Sequence, residues 1–271
     1  MKIENQIAKE TRGFTTEVEN NLFINKLDIE LIPLLKSNNP KERTSSATIL
    51  GQRKSEKAIF ALCEQLKNEK ALYSKIAISE ALGKIGKSAI NELVKFLGKI
   101  GNNQHKTLPK KIFNKWSYPL PRDIVARTIC KIGDSILVDL NNILVNGNKK
   151  QIYEAIDAIG SISFYSENKI SFGILEKSLQ KYCDDEIIKW KITRALSAFP
   201  SKKSELILLN ILKTSKKPEL EWEAVRSLGL ICKEVPEELL IAKNDKNDNV
   251  KKMVSLAIKK IGSNFELSQK L

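Results

Sequence analysis

Residues 76–86 read IAISEALGKIG, and the rest of the chain is a set of imperfect copies of this stretch. Each copy carries small or apolar residues at helical spacing, a small residue at a fixed place, and a branched apolar residue two positions on. With Gly83 as the reference column, the matching positions are Gly51, Cys130, Gly160, Ser197, Gly229 and Lys259. In chain order the seven columns are separated by 32, 47, 30, 37, 32 and 30 residues. A period near thirty in a helical pattern is the mark of a solenoid, because a single helical pair cannot bury its apolar face and must stack on its neighbours. The pattern therefore predicts an all-α chain of about seven helical pairs, with no alternation of the β type anywhere.

Composition agrees with one elongated array. The chain has 271 residues, of which 42% are hydrophobic, enough for a core that grows by adding repeats. No run approaches the roughly 18 uninterrupted apolar residues of a membrane span, and the opening MKIENQIAKE lacks the apolar stretch of a secretory signal. A cytoplasmic protein is expected. Cys63, Cys130, Cys183 and Cys232 form no CxxC pair and read as buried free thiols of a reducing compartment. The formal charge of +14 has two readings. It would draw in nucleic acid or an acidic protein, but only 7 of the 46 basic residues are Arg, and the abundance of Lys, Ile and Asn is also what AT-rich coding produces.

Taken in order, residues 1–28 form an N-terminal cap, with a polar helix expected over Lys2–Glu19 that Gly13 weakens. The repeats run over 29–262. Their expected pairs are 29–37 with 40–50, 56–66 with 71–85, 88–100 with 122–132, 135–145 with 149–161, 168–182 with 185–199, 204–212 with 219–231, and 236–242 with 249–261. Pro40 suits a first helical position, Gly86 a helix stop, Ser88 an N-cap, and Asp184, Asp185 and Glu186 an acidic first turn. Residues 263–271 read as a capping tail. The 47-residue spacing comes from an insertion at 101–121, GNNQHKTLPKKIFNKWSYPLP, too long for an ordinary connection.

The pattern resembles HEAT repeats, most closely the short variety of phycobilisome lyases (PBS lyase HEAT-like repeats). The second helix of that variety opens on a basic residue and closes on ALG with a branched residue after it. The clearest copies are Lys75–Gly86, Arg122–Gly133 and Glu221–Ile231, and the basic position holds Arg43, Lys75, Arg122, Lys189 and Lys251 but not Ile152 or Glu221. The resemblance implies a right-handed, armadillo-like superhelix whose second helices line a concave surface. It does not single out an activity, since such repeats serve as adaptors, transport receptors and chromophore (bilin) lyase subunits. HEAT-repeat hydroxylases need several His-Glu pairs for their di-iron centre, and His105 is the only histidine here.

Two groups of residues are candidates for binding. On the second helices, the columns seven and three before the reference lie opposite the core face and one turn apart. They read Thr44 with Thr48, Ile76 with Glu80, Asp123 with Arg127, Tyr153 with Asp157, Trp190 with Arg194, Trp222 with Arg226, and Lys252 with Leu256. Tyr153, Asp157, Trp190, Arg194, Trp222, Arg226 and Arg127 would form an aromatic and charged ribbon for a protein partner, because Trp and Arg are the usual interface anchors. The plain alternative is that each Trp packs against the next repeat with its Arg laid over the ring. The second group is in the insertion, where Phe113, Trp116 and Tyr118 alternate with Lys106, Lys110, Lys111, Lys115 and Arg122. That combination suits nucleic acid or an acidic peptide, or else a loop whose rings tuck under the solenoid while its lysines face water.

Tyr153, Asp157, Trp190 and Arg194 also resemble the groove of HEAT-like alkylpurine DNA glycosylases, although that family's longer signature is missing around them. No nucleophile with a base, glycine-rich phosphate loop or metal spacing is present, and no cofactor or metal is expected. The leading expectation is a non-catalytic scaffold or adaptor holding a protein in its groove. Nucleic-acid binding is the alternative, and a bilin-lyase subunit a third.

Overall fold

A computed structural model describes residues 2–268, with side chains over 5–263. Among the described residues the regular structure is entirely helical. Contacts divide the chain into two compact units, one of residues up to Asn103 together with Arg122–Ile136, the other of Gln104–Pro121 together with residues from Leu137 onward.

The first unit contains α1 (Lys2–Glu10), α2 (Glu17–Asn21), α3 (Asp28–Leu34), α4 (Pro40–Gln52), α5 (Ile59–Asn68), α6 (Leu72–Ile85), α7 (Ile90–Phe96) and α8 (Ile124–Ile132). The pairs α3/α4, α5/α6 and α7/α8 stack so that α4, α6 and α8 lie side by side. The small reference column makes that stacking close. A methyl group at Gly51 would come within 2.5 Å of the Ala81 Cα on the neighbouring second helix. Polar steps are satisfied across the same junctions, where Thr44 bonds Ser74 at 2.9 Å and Ser79 bonds Thr128 at 2.8 Å. Asn39 caps α4 by accepting from the Lys41 amide, with Pro40 at the first helical position as expected.

The second unit contains α9 (Leu137–Asn146), α10 (Lys149–Ser166), α11 (Phe172–Lys181), α12 (Glu186–Ala195), α13 (Lys202–Thr214), α14 (Pro218–Ile231), α15 (Glu237–Ile241) and α16 (Asp248–Ser268). Here α9/α10, α11/α12, α13/α14 and α15/α16 pair, and α10, α12, α14 and α16 form a row of second helices. Asn148 closes a capping box with Gln151, and Asp185 accepts from the amides of Ile187 and Ile188. Three of the seven expected pairs lie in the first unit and four in the second, each unit stacked as an α-solenoid. The columns one and five before the reference supply the core, including Leu50, Leu82, Ile129, Ile159, Leu196 and Leu228.

Local expectations differ in four places. The expected opening helix is two helices broken at Gly13, whose φ of +85° belongs to the left-handed region and whose neighbours Thr44 and Ser74 leave no room for a side chain. Ser88 is not an N-cap but lies in a 3-10 turn, donating to Glu56, and α7 stops at Phe96 because Gly98 turns the chain with φ +73°. The tail at 263–271 continues α16 as far as Ser268, its last three residues lying outside the described residues, as does the side chain of Ile3. Of the four thiols only Cys63 and Cys232 are buried, and burial pushes both up to about 12, whereas Cys183 is exposed.

Candidate functional site

The two candidate sites of the second unit form one structure. Residues 104–121 lie as an extended strap across the face of α10, α12 and α14 on which the ribbon residues sit. Arg226 of α14 holds it by the backbone, Nε donating to the Lys115 carbonyl at 3.1 Å and Nη2 to the Ser117 carbonyl at 2.7 Å. Phe113 covers the same guanidinium, with the ring centroid 5.0 Å from Cζ.

Glycines of the reference column seat two of the rings. A Cβ on Gly229 would stand 3.0 Å from Trp116 Cζ3, and one on Gly160 only 1.9 Å from Tyr118 Oη. Tyr118 is 3% exposed, its ring beside Phe164 at 5.8 Å, and its carbonyl accepts from Tyr165 Oη at 3.3 Å. At the other end of the strap, His105 meets Trp190 edge-on at 4.8 Å.

Beneath the strap is a buried ion network. Lys191 Nζ donates to Glu154 Oε1 at 3.1 Å, Asp157 Oδ2 at 2.8 Å and the Tyr153 carbonyl at 3.0 Å. Glu223 accepts from Arg194 Nη2 at 2.9 Å and from Arg226 Nη1 at 3.1 Å. Three cations thus face three carboxylates, the balance that makes burial of so many charges tolerable. Arg194 also lies 4.0 Å from the centroid of the Trp190 ring. Burial opposes the Arg194 charge, but Glu223 and Asp157 more than offset it and hold Arg194 above its ordinary value. Burial draws Arg226 below its own value against the pull of Glu223, and burial with Asp157 nearby holds the Tyr118 phenol well above the usual range. Among the described residues, Tyr118 Oη, Asp157 Oδ1 and Trp190 Nε1 are buried without a hydrogen-bond partner.

The ribbon expected to offer open anchors is therefore occupied. Trp190, Trp222 and Arg226 are 0%, 1% and 0% exposed, and Arg194 and Asp157 are buried. Trp190, with Arg194 on its ring and His105 at its edge, offers no seat for a damaged nucleotide, and Asp157 is committed to Lys191. Tyr153 is half-buried, its hydroxyl donating to Asp185 at 2.9 Å, and Lys149 also reaches Asp185. Burial counts against the Asp185 charge, yet Lys149, the Ile188 amide and the Tyr153 hydroxyl together keep its carboxyl below the usual range. In the strap, Phe113 and Trp116 are half-buried and Tyr118 is buried, whereas Lys106, Lys110, Lys111 and Lys115 are exposed. Arg122 and Arg127, also exposed, belong to the first unit.

Sequence reasoning missed Glu154, Lys191 and Glu223. All three occupy one column, six before the reference, in consecutive repeats, and read Glu, Lys, Glu where other repeats place Ser45, Ala77, Ile124 and Met253. Alternating charge in a single column of adjacent helices was the available signal.

In the first unit the chain after α1 lies on part of the second-helix face, with Gly13 against Thr44 and Ser74 and the Tyr73 amide donating to the Arg12 carbonyl. A cleft of ≈ 210 Å³ opens there between the chain after α1 and the helices α4 and α6, lined by Phe14, Thr48, Tyr73, Ile76 and Glu80 among others. Phe14 meets Tyr73 edge-on at 5.2 Å, and Ile76 is 42% exposed at its wall.

Neither a protein-family model nor a curated protein sequence matches the chain. Solved structures similar to it include an engineered protein (18% identity, covering 94% of this chain and 73% of that one, TM-score 0.42). Human deoxyhypusine hydroxylase in complex with glycerol is similar at 14% identity, with 96% of each chain covered and a TM-score of 0.39. A designed armadillo repeat protein in complex with the peptide (KR)4 is similar at 16% identity, covering 88% of this chain and 100% of that one, with a TM-score of 0.40. Among the described residues no helix is long and apolar enough to cross a membrane.

Proposed function

We propose that this chain is a non-catalytic helical-repeat scaffold that holds a protein partner as an extended segment on a second-helix face. The observation that supports it is the strap itself. Its backbone carbonyls sit on Arg226 and its rings in glycine seats, so the face accommodates an extended polypeptide largely through main-chain contacts and shape. In the second unit the chain's own strap occupies that face. In the first unit the chain after α1 covers part of the corresponding face and leaves an aromatic and aliphatic cleft at Tyr73 and Ile76, and there the partner segment docks. The reading keeps the repeat as the phycobilisome-lyase variety and places the protein in the cytoplasm, where its four thiols stay reduced.

The test is selection of peptide binders from a random library displayed on phage against the immobilised chain. Selected peptides should lose at least tenfold in affinity on Ile76→Glu, an exposed position whose change leaves the fold intact, and keep their affinity on Lys252→Glu of α16. A library that yields no binders, or binders indifferent to Ile76, refutes the proposal.

A further inference from the structure

The strap's outer side suggests a second surface, which the scaffold reading does not require. From Leu93 to Arg122 the sequence contains no Asp or Glu. Within that span Lys106, Lys110, Lys111 and Lys115 all stand on the strap, all exposed, and none has a carboxylate partner among the described residues. Some lysines elsewhere in the unit are paired, such as Lys202 on Glu205, Lys203 on Glu176, Lys213 on Glu238 and Lys217 on Glu186, and others such as Lys150, Lys177 and Lys216 have no carboxylate partner among the described residues; the strap differs in gathering four lysines between 106 and 115 with no acid among them. Four uncompensated ammonium groups are thus carried on a segment pinned at Arg226, Tyr118 and Trp116, so their positive field is fixed in place rather than spread over a mobile loop.

We infer that this lysine edge binds the phosphate backbone of double-stranded nucleic acid without reading its sequence. The direction of the rings decides between ligand classes. Phe113, Trp116 and Tyr118 face the helices, which removes the stacking platforms on which single strands rely. They are equally withdrawn from any protein docking on the strap, where Leu120 is the one large apolar side chain strongly exposed among the described residues and lysine otherwise prevails, a composition that protein interfaces disfavour. Exposed Thr107, Asn114 and Ser117 lie between the lysines and add neutral donors of the kind that contact phosphate oxygens.

The experiment is fluorescence anisotropy of a labelled 20-base-pair DNA duplex of arbitrary sequence against the full chain, over a series of salt concentrations. Four phosphate contacts give a slope of log K against log salt of about −3.6, a loss of about 150-fold between 50 and 200 mM. The variant Lys106→Gln, Lys110→Gln, Lys111→Gln, Lys115→Gln should weaken binding at least tenfold and flatten the slope. The control Lys202→Gln, Lys203→Gln, Lys213→Gln, Lys217→Gln removes the same net charge from the same unit and should change affinity less than threefold. Both variants should fold, with helix content and melting unchanged. Equal losses in the two variants would mean that net charge alone attracts the duplex and would overturn the inference. A duplex that does not bind, or one displaced by an equal charge of poly-glutamate, would overturn it as well.

Discussion

Gly160→Ala gives the sharpest test of the strap's seat. The added methyl would lie 1.9 Å from Tyr118 Oη and 2.5 Å from Tyr118 Cζ, closer than any real contact. The first response is local crowding, which costs about 1–3 kcal/mol in a packed site. The second is ejection of the Tyr118 ring, which surrenders the burial of a large side chain, of order 2–3 kcal/mol. Against either stands the gain of replacing a glycine within α10 by alanine, about 1 kcal/mol. The expected net change is a destabilisation of about 1–2 kcal/mol, read as a lower urea midpoint at unchanged slope. Tryptic cleavage at Lys110, Lys111 and Lys115 should accelerate in parallel, because a lifted strap offers its lysines to the protease. The decisive arm is the same substitution in a Tyr118→Ala background. With the ring gone the crowding vanishes and only the helical gain remains, so Gly160→Ala should there stabilise by about 1 kcal/mol. If the substitution stabilises in both backgrounds, Tyr118 does not rest on Gly160 and the strap is not where the structure puts it.

Other substitutions read the same architecture. Trp222→Ala removes a ring that is 1% exposed, and should cost about 3–5 kcal/mol and melt the helices around α14; an unchanged melting curve would show the ring to be a surface anchor after all. In the first unit Glu69 accepts from Arg43 at 2.7 and 2.9 Å, and although burial counts against its charge, Arg43, Gln65 and the Ala71 amide hold its carboxyl below the usual range. A depressed carboxyl contributes stability above its unfolded value, near 4.5, and loses it as the pH falls through the lower folded value. Glu69→Gln should therefore cost about 1.5–3 kcal/mol at pH 7 and reduce the loss of stability on acidification below pH 5, measured by urea titration; an unaltered acid profile would refute the ion pair.

Much of the helical arrangement can be read from the sequence because it is periodic. The seven pairs follow from a small residue that must recur wherever neighbouring second helices touch, as Gly51 does against Ala81. Most of what escaped was aperiodic. The breaks at Gly13 and after Phe96 depend on single backbone torsions, and no column records them. The insertion is a harder case. Its aromatic and basic composition marked it as special, but nothing in a loop without period says to which repeat it returns, and the bonds that pin it join residues up to 111 apart in the chain. The ribbon and the insertion therefore read as two sites, when the second fills the first. A charged column was readable in principle, since Glu154, Lys191 and Glu223 would each be intolerable alone in a packed row.

That charged row explains why the strap and the face beneath it act as a unit. Arg226 has five donors to satisfy, and Glu223 can take only part of them while also serving Arg194. The carbonyls of Lys115 and Ser117 supply acceptors that the helices do not provide, and without the strap a guanidinium that burial already disfavours would lose two of its bonds. Lifting the strap would at the same time wet Trp190 and the ring of Tyr118. Each contribution opposes exchange of the strap for a partner. A ligand competing for this face would have to replace two charge-assisted hydrogen bonds, about 1.5–3 kcal/mol each, together with the burial of two aromatic rings before gaining anything. The two proposed recognition surfaces accordingly lie where nothing must first be displaced: the cleft at Tyr73 and Ile76, and the lysine edge that the strap turns to solvent.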